Sequence, residues 1–105
     1  MITVCLRLDE KGLYSGFTVS GHAGKRKENE EYDLVCAAVS AIVLTAVTGL
    51  SEVADIPGTF TSSEGYLLAD IEKHSNSQSQ LVIETMLAGL KRIQEQYPDT
   101  LQFSK

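Results

Sequence analysis

Histidine and cysteine each occur only twice in this 105-residue chain, and nine basic residues stand against fourteen acidic ones. His22 and His74 are no pair at ligand spacing, and Cys5 and Cys36 form no paired cysteine motif, which argues against a structural zinc site. The two cysteines allow one disulfide. However, the opening MITVCLRLDE lacks the basic-then-apolar order of a signal peptide, so reduced thiols in a cytoplasmic protein are expected. A net charge of −5 argues against direct nucleic-acid binding, since phosphate contacts need clustered Lys and Arg, and suits a basic partner instead. Linkers, low-complexity tracts and internal repeats beyond a rough ββα echo are missing, so residues 1–105 are read as one domain. The single long apolar run, LVCAAVSAIVLTAVTGL at 34–50, is short of the roughly 20 residues a bilayer needs. It contains Ser40, Thr45, Thr48 and Gly49, has no flanking basic cluster, and is read as a buried helix rather than a membrane span.

What is present supports a real core: 43% of the residues are hydrophobic, enough to dispense with disulfide or metal. In ITVCLRL (2–8), Ile2, Val4, Leu6 and Leu8 share one parity and Thr3, Cys5 and Arg7 the other, the alternation of a strand. DEKG (9–12) is a turn and LYSGFTVS (13–20) a second strand, with Phe17 and Val19 on one face and Thr18, Ser20 and His22 on the other. AGKRKENEEY (23–32) reads as a mobile charged loop. Asp33 is a suitable N-cap for a helix running to about Asp55, with Val35, Val39, Ile42, Val43 and Leu50 in one arc. A second arc of small residues, Cys36, Ala37, Ser40, Ala41, Thr45 and Thr48, suits close approach of another helix or a second subunit. Residues 56–71 form a hairpin turning at Ser63, Glu64 and Gly65, and 72–79 a polar connector. Residues 80–97 are a helix stopped by Pro98, and 100–104 a closing strand. The order ββαββαβ predicts an α+β domain, a mostly antiparallel sheet with two helices packed on one face.

Two segments carry candidate chemistry. With Asp33 as cap, Cys36 falls in the first helical turn, where unpaired amides and the helix dipole favour a thiolate and can hold an oxyanion. His22, fourteen positions earlier, can activate the thiol and then protonate a leaving amine. The same residues also describe a buried structural thiol beside a turn, and composition and spacing leave both readings open.

GHAG at 21–24 followed by YDLVCAAVSA at 32–41 resembles the ribosomal-processing cysteine protease family, Prp. The likeness extends to the opening MITV, the element order and LVIETMLAGLKRIQEQYP at 81–98. It implies a cysteine endopeptidase that removes an N-terminal extension from large-subunit ribosomal protein twenty-seven during ribosome biogenesis, with no cofactor. It also implies a homodimer, a His22–Cys36 catalytic pair, and a covering loop that here is AGKRKENEEY, longer and more charged than the family's short Gly-containing loops. The substrate is expected to lie as an extended segment beside the sheet or in a groove under that loop.

Supporting roles fall to three further residues. Asp33 orients His22 or only caps the helix; Ser40, one turn beyond Cys36, hydrogen-bonds near the site or satisfies a carbonyl one turn back. Gly21 serves backbone geometry or contributes to an oxyanion hole with an amide near Ala23. Cys5 is structural and His74 a solvated loop residue. The rival functions are a noncatalytic ribosome-assembly binding factor, which needs the acidic surface but not the thiol, and a hydrolase of small thioesters or amides.

Overall fold

A computed structural model describes residues 1–21 and 30–104, with the side chains of 30–33 left aside. Its elements are β1 (Ile2–Leu8), β2 (Tyr14–Ser20), α1 (Glu30–Thr48), β3 (Thr59–Ser63), β4 (Tyr66–Asp70), α2 (Ser77–Gln96) and β5 (Leu101–Ser104). The five strands form one sheet in the order β3-β4-β2-β1-β5, antiparallel except for the β1–β5 pair. The predicted α+β architecture is the one observed.

Strand alternation builds the core. Val4 lies opposite Val19 and Leu6 opposite Phe17, which faces Ala69 across the next pairing. These positions, with Ile2, Leu67 and Leu101, turn toward the helices, and all but the half-buried Val19 are closed to solvent. From α1 they meet Val35, Val39, Val43, Ala46 and Leu50, at spacings of three and four. From α2 they meet Ile83, Met86, Leu87 and Leu90. Phe17 and Leu50 are wholly buried, so truncating either to Ala is a cavity mutation of about 2–5 kcal/mol.

The long helix departs from expectation at its start. It begins at Glu30, three residues before Asp33, so Asp33 lies inside the helix and is not its cap. Polar residues 30–32 look like loop by composition, yet nothing in EEY opposes helix. At its far end a π-helical turn, Gly49–Val53, continues the helix to Val53, two residues short of the predicted end near Asp55. The stretch Leu34–Val53 is long and apolar enough to cross a membrane by length and composition, but it is not buried all round. One stripe meets the core, while Leu34, Ala38, Ala41, Thr45 and Thr48 are exposed. The small-residue arc is not what meets α2. That contact runs through Ile42, packed on Gly89, and through Val82, packed on Gly49.

The second helix starts earlier than predicted, because polar residues that read as connector form its capping box. Asn76 Oδ1 accepts from the Ser79 amide at 2.8 Å, and Ser79 Oγ accepts from the Asn76 amide at 2.9 Å. Gln80 fastens this end of α2 to β2. Its Oε1 accepts from the Tyr14 amide at 2.7 Å, and its Nε2 donates to the Tyr14 carbonyl at 3.0 Å.

Candidate active site

Between the first half of α1 and the β3–β4 end of the sheet lies a mainly apolar cleft of about 410 Å³. Its floor is formed by Ile2, Val19 and Leu67. Cys36, Ser40 and Leu44, one turn apart in succession, stand along one wall, and the hairpin residues Ser62 to Tyr66 form the other. Gly21 lines the cleft where β2 hands the chain on to His22.

Both cysteines are thiols, half-buried, and no disulfide joins them. Their surroundings differ. Cys5 sits mid-strand opposite Thr18 and beside Ser104, on the parity that faces away from the helices. Cys36 is the cysteine in the cleft. Its position on the helix is not the one predicted. Counting from Glu30 it is the seventh helical residue. Its amide therefore belongs to the internal i→i−4 ladder and not to the unpaired amides of the terminus. Stabilisation of charge at Cys36 by helix-terminal amides, which depended on Asp33 as cap, does not follow from this geometry, because such effects fade within the first turn.

Gly21 has a definite backbone role. Its φ is +94°, a value L side chains rarely adopt, and an added Cβ would run into the carbonyl oxygen of Met1. Its amide donates to the Gly65 carbonyl at 2.9 Å and pins the end of β2 to the β3–β4 turn. That amide is already engaged, so an oxyanion role for it is not met. Ser40 is exposed in the cleft. Thr45, Ser51 and Thr85 all donate to carbonyls one turn back, as expected for helical hydroxyls. No such bond is found for Ser40 among the described residues.

His22, and with it residues 23–29 of the charged loop, lies outside the described residues, as does the side chain of Asp33. The His22–Cys36 pairing, the charged loop and the orienting role of Asp33 therefore fall outside the described residues. His74 ends a 3₁₀ turn, Glu72–His74, exposed and away from the cleft. Among the described residues no group of three or more His, Cys, Asp or Glu is arranged to hold a metal ion.

Residue patterns in the sequence did not reveal the far wall. Ser62, Ser63 and Glu64 carry no motif; they reach the cleft because β4 pairs with β2 and sets the hairpin turn beside Gly21. The Ser-Glu-Gly turn was legible, but not its destination.

The profile of the cysteine protease Prp family matches residues 1–102. The ribosomal processing cysteine protease Prp of Staphylococcus aureus is 31% identical over 110 residues, covering 99% of this chain and 98% of that protein. The Bacillus subtilis protein of the same name is 31% identical over 102 residues, covering 91% and 88%. In fold, the chain is similar to the crystal structure of an essential ribosomal processing protease Prp from S. aureus in complex with a covalently linked product peptide. The TM-score is 0.85 at 24% identity, over 99% of this chain and 98% of that one. It is also similar to a Streptococcus mutans protein, with a TM-score of 0.83 at 29% identity over 99% and 92%.

Proposed function

Because the chain belongs to the Prp family of cysteine proteases, we propose that it is the endopeptidase that removes the N-terminal extension of large-subunit ribosomal protein twenty-seven, using Cys36 and His22. The observation that carries this reading is positional. Of the two cysteines, Cys36 is the one on the wall of the cleft, and the strand that ends at the same cleft with Gly21 leads directly into His22.

In this reading His22 takes the thiol proton and the Cys36 sulfur attacks the scissile carbonyl carbon. The tetrahedral oxyanion collapses as the C–N bond breaks, and the proton on His22 passes to the leaving amine, the new N-terminus of the shortened protein. Water, losing a proton to His22, then attacks the thioester and releases the extension as a carboxylic acid, restoring the thiol. In this reading the amide near Ala23 is the oxyanion donor, since the Gly21 amide is bonded to Gly65 and the Cys36 amide lies within the helix. The apolar floor of Ile2, Val19 and Leu67 suits a bulky apolar side chain beside the cut. The names of the relatives, and an S. aureus structure described as a complex with a substrate peptide, support a protein substrate.

The protein is further proposed to act in the cytoplasm as a homodimer. The exposed stripe of α1, with Leu34 at 68% relative exposure beside Ala38 and Ala41, is the surface a second copy would cover.

Incubation with precursor ribosomal protein twenty-seven tests the function. A shortened product is expected, and Cys36→Ala is expected to bind the precursor without cutting it. Normal cleavage by that variant would refute the nucleophile assignment. Binding without cleavage by the unaltered protein would favour the noncatalytic assembly factor.

A further inference from the structure

The cleft is continuous with a strand edge that nothing in the described structure covers. The sheet ends at β3, whose only strand partner among the described residues is β4. The two-residue loop Glu64–Gly65 makes Ser63 and Tyr66 the closing hydrogen-bonded pair of the hairpin. Pairing type alternates from there, so Thr61–Leu68 and Thr59–Asp70 are also hydrogen-bonded pairs. The backbone groups of Ser63, Thr61 and Thr59 therefore point toward β4, while those of Phe60 and Ser62 point outward from the sheet. The neighbouring pairing agrees: the Gly21 amide bonds Gly65 and the Ile71 amide bonds Ser15, which directs odd-numbered residues of β4 toward β2 and even-numbered ones toward β3.

This edge also lacks the usual protection. TFTSS contains no lysine, no proline and no other charge, and its register with β4 is unbroken by a bulge. It runs toward the cleft, where Ser62 and Ser63 line the wall opposite Cys36. The other edge, β5, contributes nothing to the cleft lining.

We infer that the substrate segment flanking the scissile bond adds to β3 as a sixth strand, hydrogen-bonded to the outward N–H and C=O groups of Phe60 and Ser62, before entering the cleft toward Cys36. The inference rests on the protease reading and adds to it the element that aligns the substrate. Recognition of this kind draws affinity from main-chain bonds and takes selectivity from alternate side chains. Those on the helix side would extend the surface formed by Phe60 and Ser62, and the others would face solvent.

The test uses the unaltered protein and synthetic peptides spanning the extension junction of ribosomal protein twenty-seven. Each peptide is N-methylated at one backbone position along the flanking segment. Methylation at every second residue is expected to raise KM about tenfold, the order expected for loss of one main-chain bond, with the intervening positions unchanged. A complementary variant is Ser62→Pro, which removes an outward N–H while sparing the β3–β4 ladder and is tolerated on an edge strand. It is expected to raise KM to a similar degree and leave kcat within about twofold. If the variant does not fold, the methylation scan decides. Cleavage with a flat methylation profile overturns the strand-addition inference and leaves the protease reading standing. Failure to cleave the parent peptide and the full precursor overturns that reading and this inference with it.

Discussion

Replacing Gly21 by alanine should weaken the fold at the point where the cleft is joined to the sheet. Three effects combine. A φ of +94° costs an L-residue about 1–2 kcal/mol. The new methyl group meets the Met1 carbonyl oxygen, a backbone atom, so relief requires β1 or the end of β2 to move. Any such movement strains the 2.9 Å bond from Gly21 to Gly65, worth about 0.5–1.5 kcal/mol. The sum is a destabilisation of about 2–4 kcal/mol, a large share of the roughly 5–15 kcal/mol typical of a whole domain. It corresponds to a fall in Tm of about 10–20 °C. Urea unfolding followed by far-ultraviolet circular dichroism measures it directly. Two other glycines separate the contributions. Gly12 has a φ of +82° but open space around it, so Gly12→Ala should cost only about 1 kcal/mol, the conformational part. Gly89 lies inside α2 with Ile42 Cδ1 at an ordinary 3.5 Å from the added Cβ, so Gly89→Ala should stabilise by about 0.5–1 kcal/mol. Equal losses for Gly21→Ala and Gly12→Ala would show that the close approach to Met1 contributes nothing, and the reasoning would fail.

Other outcomes follow from the same structure. Asn76→Ala removes the acceptor of the α2 capping box and should cost about 1 kcal/mol by the same urea assay, with an unchanged m-value. In thiol alkylation near neutral pH, Cys36 should label faster than Cys5, and His22→Ala should slow Cys36 alone; equal, sluggish labelling would count against an activated thiol. Ala41→Glu, on the exposed stripe of α1, should convert a dimer to a monomer in sedimentation, while a wild-type protein that sediments as a monomer would remove the case for the dimer.

Much of the fold was legible because its signals are local. Period-two alternation in ITVCLRL and the Ser-Glu-Gly turn between apolar runs are properties of neighbouring residues, and they found β1 and the β3–β4 hairpin. Helix starts were less legible, for one reason at both ends of the chain. The residues that open a helix are polar, and polar residues also make loops. Thus Glu30–Tyr32 and Ser77–Ser79 read as connectors by composition, and Asp33 reads as a cap although it lies too deep in the helix for that role. The site depends on this start: a helix beginning at Asp33 leaves free amides around Cys36, whereas one beginning at Glu30 consumes them.

The sequence alone determined the chemistry on offer: a scarce histidine and a scarce cysteine, each set in a segment resembling one protease family, on an α+β frame whose core parity is written into β1 and α1. Tertiary structure decided which thiol has a cleft and what stands opposite it. Cys5 and Cys36 are both apolar-flanked cysteines in sequence, but strand parity turns Cys5 away from the helices and helix packing puts Cys36 across the cleft from the hairpin. The far wall depends on β4 pairing with β2 across about fifty intervening residues, a contact set by burial of Leu67 and Ala69 against the common core and by no local signal at Ser62 or Glu64.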